Sequence, residues 1–495
     1  MSKDLFQLIK SLSSAEKRYF KVQSNSGNNE KNYFRLYVAI DKMEVYSDQL
    51  LLERFKHEAF IDNLPFNKNY LYQAILSSLR QFYEKNSADI QLHNQLIDVL
   101  VLERKGLYLQ AIKLSKQLKK KANLHDHRLI VLEVIRRELE FALRSEKNLK
   151  VQLEELGTEL LSSLQMLETE LRLHCLKNTV FSLQRTKAKH QIEAKLNEIL
   201  SHPLLHSKME HLSFKGQLLL NWTNAACYHL KGDFEQAYHY YKQVVLLWQE
   251  HPKIRKDKPH LYKIHLSNFL AICHDSSNYT EFLDYLNKIK PLASQSFDEE
   301  AETFQNVFYY ELLYYLNTLQ IKEALMLIPV IEKGFKKYHR KINKARLIAF
   351  WYNISLLYFI SENFKKALEW LTNILHEPKT EHRQDVQRFA RFLELVLHYE
   401  LGNFQVYDYL FRSLKRYVQK DINQNTFEAT LLKHFNKLTD LNSGKKEEKL
   451  FNTFQTDLKD LSKDQAHSIG LEEISLWVSS KVTGSSILQT MQPDK

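Results

Sequence analysis

The chain has 495 residues, of which 44% are hydrophobic, and its formal net charge is +11. Only 10 glycines and 8 prolines are present, which argues against a β-rich or disordered protein and favours helices around a large buried core. The 3 cysteines lie far apart and form no C-x-x-C pair, so we expect reduced thiols and a cytoplasmic location rather than a disulfide framework.

No segment predicts a secretory or membrane-spanning element. The first residues lack an apolar stretch of signal-peptide length. The most apolar run, residues 347–360, is shorter than the roughly 20 residues that a spanning helix needs, and Asn353 and Ser355 interrupt it. We therefore expect a buried helix in this run and no contact with a membrane.

Residues 1–90 are predicted to form a helical N-terminal region with a character of its own. The segments 47–55 and 67–83 could be the two helices of a helix-turn-helix, whose reading helix would present these residues: Asn69, Tyr72, Gln73, Ser77 and Arg80. The region has 13 Lys and Arg against 11 Asp and Glu, a net charge of only +2, whereas DNA-binding domains usually carry a stronger basic footprint. A helical cap is therefore the favoured interpretation, and DNA binding is the alternative.

A short motif recurs between residues 91 and 420. Each copy has a turn residue, then an aromatic or aliphatic residue, then polar residues, then a residue that packs. The six copies are GLYLQA (106–111), GDFEQA (232–237), SNYTEF (277–282), LQIKEA (319–324), ENFKKA (362–367) and GNFQVY (402–407). From Ala237 onward the last positions are 45, 42, 43 and 40 residues apart, and weaker copies end at Gln152 and Ala194. This period indicates stacked repeats, each a pair of helices.

The composition of the motif fits a turn between two packed helices. Glycine takes the left-handed conformation at a helix C-terminus with little strain, and it occupies the first motif position at Gly106, Gly232 and Gly402. Side chains suited to capping the second helix follow it at Asp233, Asn278, Asn363 and Asn403. Prolines that stop the second helix are expected at Pro252, Pro291 and Pro378.

Two units resemble the tetratricopeptide repeat. In residues 351–378 the matching positions are Trp351, Ile354, Ser355, Tyr358, Phe364, Ala367, Leu371 and Ile374, and in residues 221–245 they are Ala225, Tyr228, Gly232, Phe234, Ala237 and Tyr241. The resemblance covers about residues 90–420 and implies an all-α, right-handed α-solenoid, with a period of 40–45 residues instead of the usual ~34. A more general helical-hairpin array is the alternative. The opening of the chain also resembles that of bacterial repeat proteins with no assigned activity.

The C-terminal part is expected to close the array. Residues 421–482 contain three helix-forming segments and suit a terminal cap with a polar outer face, which hides the last apolar surface of a repeat protein. Residues 483–495 are predicted to be a disordered tail. The predicted organisation is thus an N-terminal region (1–90), repeats (91–420), a cap (421–482) and a tail.

The sequence contains no recognisable catalytic or cofactor motif. The sequence has no glycine-rich phosphate loop, no H-E-x-x-H and no G-x-S-x-G, so we predict no catalytic residue and no cofactor. The best histidine groups are His125 with His127, and His202 with His206 and His211. The spacing of the first pair points the two rings to different sides of a helix, and His202 precedes a proline and is expected to cap a helix. We therefore predict no metal site.

Basic residues concentrate in residues 331–346, which hold 7 Lys and Arg against one Glu. We refer to five of them as the basic patch: Lys336, Lys337, Arg340, Lys341 and Lys344. A solvated outer face is the simplest interpretation. The sharper one is a surface for an acidic peptide, a phosphate-rich partner or RNA.

The leading functional prediction is a non-enzymatic scaffold that binds a partner peptide or helix in a concave groove. Projection of the repeats places eight residues in that groove: Trp222, His229, Asn268, His274, Tyr309, Asn317, Tyr352 and Phe359. The alternative within this geometry is that they pack inside the protein and bind nothing. The second functional prediction is a nucleic-acid-associated regulator that uses the N-terminal helices or the basic patch, with the repeats sensing a partner. The third, an enzyme with an unrecognised site, has only the size of the chain in its favour.

Overall fold

The computed structural model describes residues 2–24, 32–84, 87–143, 149–183, 189–294, 296–377, 383–419, 426–438, 444–461 and 469–491. Every regular element within these ranges is a helix, which confirms the all-α class. The chain divides into two compact units, Met1–Glu300 and Ala301–Lys495. Each unit is described by itself.

The first unit contains fifteen α-helices in its described residues. They are α1 (Ser2–Ser11), α2 (Ser14–Ser24), α3 (Asn32–Asp41), α4 (Asp48–Arg54), α5 (Leu64–Glu84), α6 (Ala88–Arg104), α7 (Tyr108–Leu124), α8 (Arg128–Ala142), α9 (Leu149–Leu183), α10 (Lys189–Leu200), α11 (Phe214–Lys231), α12 (Phe234–Glu250), α13 (Pro252–Asp257), α14 (Pro259–Asp275) and α15 (Tyr279–Ile289). Short 3-10 helices span Ala59–Asn63, Pro203–His206 and Met209–His211.

Helix α16 (Phe297–Asn317) begins at the end of the first unit and continues into the second. The remaining helices are α17 (Ile321–Tyr338), α18 (Lys344–Ile360), α19 (Phe364–Leu375), α20 (Gln384–Glu400), α21 (Phe404–Gln419), α22 (Thr426–Leu438), α23 (Gly444–Leu461), α24 (Leu471–Thr483) and α25 (Ile487–Thr490). No helix in the described ranges combines the length and the apolar character needed to cross a lipid bilayer.

Helices α1–α5 enclose a hydrophobic cluster that includes Leu5, Phe20, Tyr37 and Ile75. The two segments considered for a helix-turn-helix correspond to α4 and to α5, and the connection between them contains the 3-10 helix Ala59–Asn63. This connection is longer than the turn of about three or four residues that is usual in the motif.

Neighbouring helices pack in sequence along the rest of each unit. In the first unit α6, α7, α8 and α9 contact one another in that order, α12 contacts both α11 and α14, and α14 contacts α15. In the second unit α19 contacts both α18 and α20, and α18 also contacts α20 directly. These contacts therefore join helices that are near one another along the chain.

The first position of the recurrent motif has the same backbone conformation in all six copies. Gly106, Gly232 and Gly402 have positive φ, as predicted. Ser277, Leu319 and Glu362 adopt the same left-handed conformation at the other three copies, and Asp126 does so at a further turn. The turn therefore recurs even where its first residue carries a side chain, because the packing of the two helices requires the reversal.

Three of the four predicted caps form hydrogen bonds at these turns. The side chain of Asp233 accepts from the backbone N–H of Gln236, that of Asn278 from Glu281, and that of Asn363 from Lys366. Pro252 lies at the start of α13, directly after α12, and Pro291 follows α15. Pro378 lies outside the described residues.

The turns allow a matched test of backbone strain. We expect Gly232→Ala to lower the free energy of unfolding by about 1 kcal/mol, because a side chain is strained at positive φ. A Cβ atom at this position would meet nothing within 4 Å, so the effect is conformational alone. Ser277→Gly should instead raise stability by about 0.5 kcal/mol. Urea unfolding of both variants checks the pair, and equal effects of the same sign would contradict it.

The C-terminal helices are integrated into the core of the second unit. Trp477 and Ile474 of α24, Ile487 of α25, and Phe451 of α23 all belong to the hydrophobic cluster that contains the residues of α18 and α20. Residues 483–491 of the predicted tail are described and include α25, whereas residues 492–495 lie outside the described part.

Candidate interaction surfaces

Four of the predicted groove residues lie on α11 and α14 of the first unit: Trp222, His229, Asn268 and His274. We call this set the α11–α14 face. All four side chains are half-buried, so each is packed on one side and reached by solvent on another. They form two local groups, one near the middle of the two helices and one at their C-terminal ends.

The first group is built on Tyr241 of α12. Burial raises the pKa of the Tyr241 hydroxyl far above its usual value, and hydrogen bonds from Asn268 and Trp222 act in the opposite direction. The same hydroxyl lies 3.2 Å from Nδ1 of His265. Burial, reinforced by Lys177, lowers the pKa of His265 to about 3, so this imidazole is neutral at physiological pH.

Lys177 of α9 covers the indole of Trp222. Its Nζ lies 4.9 Å from the ring centroid, a geometry that permits a cation–π interaction. Burial lowers the pKa of Lys177, and the nearby Lys215 adds to that effect. This part of the α11–α14 face is therefore aromatic with positive charge beside it.

The second group joins His229 and His274 through one carboxylate. His229 Nε2 lies 2.7 Å from Oδ2 of Asp275, and His274 Nδ1 lies 3.0 Å from Oδ1. Burial by itself would raise the pKa of Asp275, but the hydrogen bonds from the two histidines outweigh it and lower the pKa to about 2. The contribution of this contact to stability is therefore present above the ordinary pKa of 3.8 and is lost as the pH falls towards 2.

In the second unit, the helices at the corresponding repeat positions are α18 and α20. Helix α24 covers them. Tyr352 is only 8% exposed, and its hydroxyl donates to Oε1 of Glu473 at 2.9 Å. On α20, Glu400 accepts from Trp477 Nε1 at 2.6 Å and from Lys481 Nζ at 2.7 Å. Helix α24 thus lies on a surface that we call the α18–α20 face.

The remaining groove residues of the second unit have different surroundings. Phe359 is 1% exposed and lies inside the hydrophobic cluster, so its ring contacts the core instead of solvent. Tyr309 is half-buried beneath Arg346, whose guanidinium carbon lies 4.1 Å from the ring centroid. Asn317 is exposed at the end of α16.

The basic patch lies at the end of α17, in the following turn and at the start of α18. Lys336 and Lys337 occupy the last turn of α17, where positive charge stabilises the helix C-terminus. Lys336, Lys337, Arg340 and Lys341 are exposed, whereas Lys344 is half-buried and forms an ion pair with Glu377 at 2.5 Å. Lys336, Lys337 and Lys344 therefore stabilise the local structure, which explains part of the basic patch without a binding partner.

Several of the histidines considered for metal binding have other partners. His125 pairs with Asp257, and His127 Nε2 lies 3.1 Å from Asp89. His202 caps the 3-10 helix Pro203–His206 by accepting from the N–H of Leu204, as predicted. In the part of the chain that the structure describes, no three His, Cys, Asp or Glu residues are placed to hold a metal ion.

Sequence reasoning missed three participants in these surfaces: Lys177, Asp275 and helix α24. Asp275 could have been found, because His229 and His274 are separated by one repeat period and the acidic residue adjoins the second of them. Lys177 lies on a long helix without the motif, so no pattern pointed to it. No family model matches the chain, and none of the curated proteins is significantly similar to it.

Proposed function

We propose that this chain is a non-enzymatic interaction scaffold of the cytoplasm, which binds a partner peptide or helix on the α11–α14 face. In this proposal the paired helices stack as a right-handed solenoid similar to tetratricopeptide repeats, and the face is part of its concave groove. The regular recurrence of the left-handed turn, in steps of 45, 42, 43 and 40 residues from Gly232, supports the stacked arrangement. No cofactor is part of the proposal.

The observation that carries the proposal is the contrast between the two faces. The α18–α20 face holds an amphipathic helix of the chain itself, which buries Ile474 and Trp477 and accepts a hydrogen bond from Tyr352. The α11–α14 face also combines an aromatic ring with polar groups: an indole, an amide and two imidazoles, all in half-buried positions. A surface with half-buried aromatic and polar groups of this kind is suited to a helix in a groove.

The partner chemistry follows from the charges beside this face. Lys177 lies against Trp222, and His229 and His274 lie at the ends of the helices. A partner helix with an apolar stripe for the indole and carboxylates near the lysine would complement this arrangement. Helix α24 provides the pattern, with Leu471, Ile474 and Val478 buried and Glu473 accepting from a tyrosine.

Affinity capture from native lysate tests the proposal with a matched pair of variants. We expect Trp222→Ala to remove the partner from the eluate, because truncation of a central indole typically weakens binding by about 2 kcal/mol or more. Trp370→Ala is the control, since Trp370 is also half-buried but lies on α19 of the second unit. A partner retained equally by both variants would contradict binding on the α11–α14 face.

A nuclease-treated arm separates the second candidate, a nucleic-acid-associated regulator. One observation favours that candidate: Asn69, Gln73 and Arg80 are all exposed on α5. Nucleic acid recovered with Trp222→Ala and Trp370→Ala alike, and lost with Arg80→Ala, would support it. A partner that survives nuclease and depends on Trp222 would support the scaffold.

A further inference from the structure

Helix α9 has an apolar stripe on the side that faces away from the protein. Leu161, Leu164 and Leu171 are 68%, 53% and 56% exposed, and Cys175 is the exposed member of the three cysteines. The opposite side of the helix is packed, with Leu173 and Val180 fully buried where α9 contacts α8 and α11. A helix with apolar residues on both sides is usually covered on both sides.

The stripe has the spacing of a coiled-coil seam. Positions 161, 164, 168, 171 and 175 are separated by alternating steps of three and four residues, the heptad positions a and d. Beside the seam, Leu204 of the 3-10 helix Pro203–His206 helps to line a groove of about 630 Å³ together with Leu164, Leu171 and Cys175. A second helix in this groove would contact Leu204 on one side in addition to the seam of α9.

The charges in the seam favour one orientation of a second, identical helix. Glu168 and Arg172 form an ion pair within α9 at 2.7 Å, and their side chains are 57% and 66% exposed. If a second α9 lies antiparallel with the two-fold axis between positions 169 and 170, Glu168 of each helix lies opposite Leu171 of the other, next to Arg172 of that helix. A parallel pairing would place Glu168 against Glu168, which is repulsive.

We propose that the chain forms a two-fold symmetric dimer through antiparallel pairing of α9 with α9 of a second copy. In this register Leu164 lies opposite Cys175 of the second copy, Glu168 lies opposite Leu171, and two ion pairs between Glu168 and Arg172 flank the centre. A two-fold interface uses the same patch on both subunits, and in this register each seam brings its leucines to the other helix and its Glu168 next to Arg172 of that helix. The other side of α9, which carries Lys177, remains within the protomer.

Sedimentation of the full chain over a concentration series tests the dimer. We expect a reversible monomer–dimer equilibrium, and we expect Leu164→Glu/Leu171→Glu to raise the dissociation constant by at least about a hundredfold, because each dimer loses four seam leucines. Leu109→Glu is the control, since Leu109 is 86% exposed on α7 outside the seam. A wild-type chain that remains monomeric, or equal effects of the seam and control variants, would overturn the proposal.

Two further variants test the orientation and remain informative if the glutamate variant folds poorly. Glu168→Arg should weaken the dimer, and the double variant Glu168→Arg/Arg172→Glu should restore it, because the exchange preserves both intermolecular pairs. Leu164→Cys should form a disulfide-linked dimer on mild oxidation, since it places a thiol opposite Cys175 of the second copy. Leu109→Cys should not, and a cross-link of the unmodified chain through Cys175 alone would contradict the antiparallel register.

Discussion

Replacement of Trp477 by alanine is expected to lower the free energy of unfolding of the second unit by about 3–5 kcal/mol. The indole is fully buried, and its ring packs edge-on against Phe435 of α22 and Phe451 of α23. Its Nε1 donates to Glu400 at 2.6 Å, so the substitution removes a hydrogen bond to a charged acceptor in addition to leaving a cavity. Urea unfolding, followed by near-ultraviolet circular dichroism, measures the loss.

Two controls define what this loss means. Trp477→Phe keeps most of the apolar volume and should cost about 1–2 kcal/mol, and Glu472→Ala on the exposed side of α24 should change stability by less than about 0.5 kcal/mol. If Trp477→Ala is no more destabilising than Glu472→Ala, α24 is not part of the core. The α18–α20 face would then be open to a partner in solution, and the contrast between the two faces would disappear.

The second large effect is expected at a buried ion pair in the first unit. Lys263 of α14 and Glu299 at the start of α16 lie 2.8 Å apart, with side chains only 3% and 5% exposed. Lys263 Nζ also donates to the backbone carbonyl of Ala293 and to Ser294 Oγ. Lys263→Ala should lower the free energy of unfolding by about 3–5 kcal/mol, because it removes the cation that lies closest to a buried carboxylate.

A double variant distinguishes this electrostatic cause from a loss of packing. Lys263→Met/Glu299→Leu removes both charges at similar volume and should recover most of the stability lost in Lys263→Ala, as judged by thermal unfolding. If the double variant is as unstable as the single one, the lysine contributes mainly by holding Ala293 and Ser294 in the connection between α15 and α16. Either result identifies the interaction through which Lys263 stabilises the connection between α15 and α16.

Helix α9 relates the two binding proposals to each other. Lys177 lies on its inner side, over Trp222, whereas Leu164 and Leu171 lie on its outer side. Variants on the outer side should therefore change self-association without changing capture of the partner, and Trp222→Ala should do the reverse. Their independence would show that the helix serves two surfaces.

The sequence by itself determined the features that depend on short-range interactions. The helical class, the positive φ of Gly232 and the caps provided by Asp233 and Asn363 all follow from residues within one or two turns of each other. The period of the motif was visible for the same reason, since every copy repeats one local turn.

Only the tertiary structure decided which surfaces are open and which are filled. Tyr352 and Phe359 occupy the same kind of position as Trp222 in the repeat projection, yet the first two are buried and the third is half-exposed. Glu473, which accepts a hydrogen bond from Tyr352, is 121 residues away along the chain. No local sequence pattern predicts a contact over such a distance. Burial depends on which distant segment packs against a face, and that choice is made by the free energy of the whole fold and not by the residues of the face alone.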